Sequence, residues 1–163
     1  VTDDPTMAAI WSVLRAVPDP EIPVLSLVDL GVIRDVRLAD GVVHVGIAPT
    51  YTGCPATLVI KSDVAAALTQ AGFAARVHDV LSPPWTSAWI TPEGCEKLRQ
   101  YGIAPPEFPV DSVAALTGRL MAAACPRCGS RDTEVVSEFG STPCKALHRC
   151  LVCLEPFDRF KCI

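Results

Sequence analysis

Two short motifs late in this sequence carry its clearest chemistry. Cys125-Pro-Arg-Cys128 and Cys150-Leu-Val-Cys153 are CxxC knuckles with residues 129–149 between them. Each knuckle aims two sulfurs at one point, and a hairpin between the knuckles brings the second pair opposite the first. Four thiolates then close a tetrahedral site, as in a zinc ribbon. Gly129 permits the turn through which backbone amides reach the sulfurs. The same thiolates can carry an iron–sulfur cluster, and an even total of eight cysteines also admits a disulfide framework. Zinc leads these three readings. The disulfide reading is weakened by the lack of an export signal, because cytosolic thiols stay reduced. Cys144 and Cys162 have no CxxC partner. They read either as small buried hydrophobes or as additional thiols that exchange into the site or receive a cluster together. His148 reads as a strand surface residue, since four sulfurs already complete a tetrahedron.

A second thiol stands apart from these. In Thr52-Gly53-Cys54-Pro55 the proline fits the first turn of a helix, which sets Cys54 at or beside its N-cap. There the positive end of the helix dipole favours thiolate, making Cys54 a candidate nucleophile or soft-metal ligand, or a cysteine that only caps the helix. Asp19 and Glu21, set among prolines, can supply oxygen ligands, a proton acceptor or loop caps. Asp29 reads as a turn residue, and Cys95 as core packing within a helix. No Ser/His/Asp spacing, phosphate loop, GxGxxG or HExxH is present, and no histidine is tied to Cys54, so nothing in these motifs demands catalysis.

The elements that must position these groups follow from the patterning. A helix is expected over 6–16, with Thr6 as its cap and Ile10, Val13, Leu14 and Val17 on one face. Three prolines make 18–25 a structured loop. Strands at 32–38 and 42–48 flank Asp40-Gly41, a hairpin signal. A helix over 55–71 carries Ile60, Val64 and Leu68 on its apolar stripe, with Gly72 at its C′ position. Phe73, Ala75 and Val77 alternate as a third strand. Trp85 and Trp89 sit in a Pro-rich stretch, where they pack the next helix or form a partner surface. That helix has Thr91 as N-cap, Pro92 at N1 and Gly102 past its end. Six of the eight cysteines lie in residues 125–163, a stretch too short to fold on apolar burial alone. The expected fold is α+β: a small mixed sheet with helices on one side over 1–102, a linker over 103–124, and a zinc-ribbon-like module over 125–163.

Composition excludes some functions. The chain has 163 residues and a net charge of −4. Residues 125–163 are close to neutral, which is too little for phosphate-backbone attraction, so nucleic acid is not an expected partner. No run reaches 18 apolar residues, so no membrane helix is expected. The opening stretch lacks a basic segment followed by an apolar one, which argues against a signal peptide and for a cytoplasmic protein.

These motifs also match a family. DPEIPVLSLVDLGVIRDV, PTYTGCPA and PPWTSAWITPEGCEKLRQYGI resemble the small domain of iron–sulfur assembly factors, including the bacterial Suf-system T protein and the eukaryotic MIP-type cytosolic targeting factor. The tail, with FGSTPCKAL and EPFDRFKC, resembles the PaaD family of the phenylacetate-degradation cluster. The resemblance implies that Cys54 is the functional residue, supported by the loop of Asp19, Pro20 and Glu21. It also implies a role in phenylacetyl-CoA epoxidation. The chain lacks the Glu-x-x-His pairs of a di-iron bundle and any flavin motif, so it is not expected to be the oxidising or reducing component. The implied role is non-catalytic: helping to mature a metal centre of the reductase or the di-iron oxygenase component. A resident zinc, a transient iron–sulfur cluster and protein partners, a second copy of the chain among them, are expected. The rivals are a stoichiometric structural subunit of the epoxidase and a Cys54-dependent thiol enzyme.

Overall fold

A computed structural model describes residues 5–51, 53, 55–107 and 123–161. The chain divides into two compact units, residues 1–85 with 89–94, and residues 86–88 with 95–163.

The first unit contains α1 (Pro5–Arg15), β1 (Ile33–Ala39), β2 (Val42–Ile47), α2 (Ala56–Gln70) and β3 (Ala74–Asp79). Its helices form where the apolar periodicity places them. Ile10 and Leu14 of α1 are buried, as are Ile60, Val64 and Leu68 of α2, because residues four apart share a face. Helix α1 begins at Pro5, so Thr6 lies inside it rather than capping it. Asp40 (φ +50) and Gly41 (φ +75) both adopt the left-handed conformation, the geometry of a two-residue I′ turn, and pair Ala39 with Val42. Strand β2 lies between β1, which is antiparallel to it, and β3, which is parallel to it. Its Val43, Val45 and Ile47 are fully buried. Helix α2 is the crossover that a parallel pair requires. It ends in a Schellman motif, with the Phe73 amide on the Leu68 carbonyl at 2.9 Å and Gly72 at φ +88.

Arg34 is the extra residue of a bulge between β1 and β2, and its guanidinium lies 3.7 Å from the Trp89 ring centroid. Trp85 is buried and its Nε1 donates to the Leu30 carbonyl at 3.0 Å. Both tryptophans therefore hold the loop region of the first unit.

Helix α3 (Pro92–Tyr101) is capped as its sequence suggests, with Thr91 Oγ1 accepting from the Gly94 amide at 3.0 Å. The sheet of the second unit has four strands: β4 (Ile103–Ala104), β5 (Thr133–Ser137), β6 (Lys145–Cys150) and β7 (Pro156–Phe160), in the order β4-β7-β6-β5. Ile103 and Ala104 fall in the stretch read as linker. Here they pair in parallel with Asp158 and Arg159. His148 is not on the surface. It is fully buried in β6, stacked on Phe157 at 5.6 Å between ring centroids, and among the described residues neither ring nitrogen has a hydrogen-bond partner. The reason is the strand period. Ala146, His148 and Cys150 share one face of β6, and that face is the inner one.

Candidate functional site

The two knuckles are closed by the same backbone hydrogen bond. Cys150 ends β6, and the chain returns five residues later: the Cys150 amide donates to the Glu155 carbonyl at 3.0 Å. At the first knuckle the Cys125 amide donates to the Ser130 carbonyl at 2.8 Å. In each, the residue after the second cysteine is left-handed, Gly129 at φ +75 and Leu154 at φ +65. Glycine adopts this conformation freely and leucine does not. The knuckles are therefore structural repeats with one strained copy.

This geometry brings together the sulfurs of Cys125, Cys128, Cys150 and Cys153, all within 4.8 Å of one another. Two of the pairs bridge the knuckles: Cys128 to Cys150 at 3.5 Å and Cys125 to Cys153 at 3.7 Å. Metal–sulfur bonds of about 2.3 Å at tetrahedral angles set neighbouring sulfurs about 3.8 Å apart. The site therefore has the size of a tetrahedral thiolate centre, and its all-sulfur donor set suits zinc or iron. Cys125 and Cys150 are buried with Ala104, Ala123 and Phe157, so the site is anchored on one side in a small core.

Without a cation the thiols of Cys150 and Cys153 are driven in opposite directions. The Cys153 amide, 3.5 Å from Cys150 Sγ, pulls the Cys150 thiol down to about 6, with help from the Val152 amide and neighbouring thiols and against burial. Cys153 is pushed up to about 12. The Glu155 amide lowers it, but burial and the sulfurs of Cys150, Cys128 and Cys125 outweigh that pull. A dication in the centre removes this conflict.

The other cysteines are placed differently. Cys144 is buried, with its sulfur 3.0 Å from Thr142 Oγ1 and apart from the four-sulfur group. Cys95 is half-buried on the wall of a cavity of about 450 Å³ within the second unit, beside Arg99, Glu107, Cys125 and Arg131. Burial raises its thiol and Arg99 partly offsets this. Sequence reading missed the cavity, because Glu107 and Arg131 (3.0 Å apart) are joined only by the fold. Cys54 and Cys162 lie outside the described residues. Beside Cys54, Gly53 (φ +86) and Pro55 are exposed, and Pro55 already has helical dihedrals ahead of α2.

Asp19 is buried. Its Oδ1 accepts from the amides of Glu21 (2.9 Å) and Ile22 (2.8 Å), which is the geometry of a loop cap. Asp29 makes the matching cap on Ser26, accepting from its amide at 2.9 Å and its hydroxyl at 2.8 Å. Glu21 is half-buried beside the Asp19 cap.

Residues 7–80 match the iron–sulfur cluster assembly protein family and residues 110–161 match the PaaD zinc beta ribbon domain. The chain is 48% identical over 161 residues to an Escherichia coli (strain K12) protein named for the D-subunit of 1,2-phenylacetyl-CoA epoxidase, covering 98% of this chain and 94% of that one. The chain belongs to the PaaD family. The assembly-type half of this PaaD-family chain is also 38% identical over 80 residues to the Fe-S protein maturation auxiliary factor YitW of Bacillus subtilis (strain 168), covering 47% of this chain and 78% of that factor. A crystal structure of a domain of unknown function, DUF59, from Bacillus anthracis shares the fold at a TM-score of 0.52 and 27% identity, over 56% of this chain and 89% of that domain. The α+β assembly-type domain followed by a ribbon is thus the PaaD-family architecture. Among the described residues no helix is long and apolar enough to cross a membrane.

Proposed function

We propose that this PaaD-family chain is an accessory protein of phenylacetate degradation that assists iron–sulfur or metal-centre maturation in the multicomponent phenylacetyl-CoA epoxidase. The observation that carries the reading is the presence, in one chain, of an iron–sulfur assembly-type domain and a PaaD ribbon. In this reading Cys54 holds iron or a cluster in transit, as cargo. The Asp19 cap keeps its loop rigid, and Glu21 lies beside that cap. Cys125, Cys128, Cys150 and Cys153 hold a resident zinc, which supplies the ribbon with a cross-link in place of a larger core. The partners are epoxidase subunits, the client being the reductase or the di-iron oxygenase component. The chain itself catalyses no turnover, and its setting is cytoplasmic.

The test is Cys54→Ser in cells that depend on the epoxidase. The variant should be folded and present at normal level, while its client carries less metal. A client with full metal content and normal activity refutes the reading. A second reading, a stoichiometric structural subunit, is favoured by the name of the E. coli relative. Co-purification with the oxygenase at fixed stoichiometry, unaffected by Cys54→Ser, would establish it instead.

A further inference from the structure

The four sulfurs of the ribbon are not equivalent. Cys125 and Cys150 are buried and Cys153 is half-buried, whereas Cys128 is the one exposed thiol among the described cysteines. The space beside it is open: a Cβ built on the adjacent Gly129 would meet no atom within 4 Å. The sulfur of Cys128 lies 3.5 Å from that of Cys150 on the opposite knuckle, within reach of a bond between them. A second sulfur contact also crosses the site, Cys125 to Cys153 at 3.7 Å.

We propose that Cys128 is an oxidative modification site, attacked by hydrogen peroxide, with Cys150 as its resolving thiol, so that oxidation replaces the metal cross-link by a disulfide between the knuckles. The Cys128 thiolate attacks one peroxide oxygen, the O–O bond breaks and hydroxide leaves, giving a sulfenic acid. The Cys150 thiolate attacks that sulfur, an S–S bond forms and a second hydroxide leaves. The two sulfurs together lose two electrons to the peroxide, and two solvent protons convert the hydroxides to water. Loss of two of its four thiolates releases the cation. Two contacts independent of the metal keep the knuckles facing each other meanwhile: the Arg127–Glu155 ion pair, and the Leu151 amide on the Asp132 carbonyl at 2.8 Å. The inference is independent of Cys54.

The full chain, loaded with zinc, is titrated with hydrogen peroxide while released zinc is read with a chromophoric chelator. Trypsin cuts after Arg127, Arg131, Arg149 and Arg159, so a Cys128–Cys150 bridge and a Cys125–Cys128 bridge give different peptides. The expected product joins 128–131 to 150–159, with fragmentation placing the bridge at Cys150, and forms in step with zinc release. Brief iodoacetamide treatment of the zinc-loaded chain should mark Cys128 before any other described cysteine, a readout that does not depend on a Cys128 variant folding. Replacing Cys95 and Cys144 by serine should leave the rate unchanged. A bridge between 120–127 and 128–131, a bridge at Cys153, first labelling at another described cysteine, or zinc release without a disulfide overturns the proposal.

Discussion

Gly129→Ala isolates backbone strain at the metal site. Its added Cβ meets nothing within 4 Å, so no steric clash contributes, and the φ of +75° is the only obstacle. A left-handed non-glycine residue costs about 1–2 kcal/mol. Alanine recovers about 0.5–1 kcal/mol of this by restricting the unfolded chain. The net loss is about 1 kcal/mol. Because metal binding and folding of so small a unit are coupled, this appears as roughly fivefold weaker zinc binding. Leu154→Gly is the mirror experiment. Its side chain is 68% exposed, so little packing is lost, and relief of the strained leucine should tighten zinc binding about threefold. Competition with a chromophoric chelator measures both. Gly129→Ala within twofold of the parent, or Leu154→Gly binding more weakly than the parent, would refute the repeat geometry as the source of the difference.

Chelating the metal should open the knuckle end of the ribbon, since the buried cluster there is one phenylalanine with two alanines and the cysteines themselves; trypsin should then cut after Arg131 and Arg149, and protection should return with zinc. Asp19→Ala leaves two loop amides without their carboxylate and should destabilise the first unit by about 3 kcal/mol, seen as a lower denaturant midpoint with unchanged m. His148→Phe replaces two unpartnered buried nitrogens with carbon against Phe157 and should gain about 1 kcal/mol in the same assay; a loss would mean the imidazole is satisfied in solution. Thr91→Ala should cost α3 about 1 kcal/mol by removing its cap.

Local chemistry was readable wherever a few neighbouring residues determine the outcome. Asp40-Gly41, the Thr91 cap, Gly72 and the CxxC spacing each encode a turn or cap whose geometry needs no distant partner. Two features of the second unit were not readable, for the same reason. Strand β4 is only two residues long and is a strand only because β7 lies beside it, some fifty residues further along. His148 has no polar partner to announce its burial, and its position follows from the pairing of β6 between β5 and β7. The left-handed backbone at Leu154 was hidden because leucine carries no signal for it. It became visible only beside its glycine counterpart. Cys54 was legible as a motif, and its motif remains the basis for the role proposed for it.

The strand order β4-β7-β6-β5 also has a consequence in time. β7 is the last strand of this sheet to be synthesised, yet it takes an interior place between β4 and β6. β4 emerges long before and has no strand to pair with until then. The first knuckle is equally early, and its two thiols wait for Cys150 and Cys153. Metal capture and sheet closure therefore share one late step, and a nascent chain stalled before residue 150 presents only two of the four thiols that close the tetrahedral site.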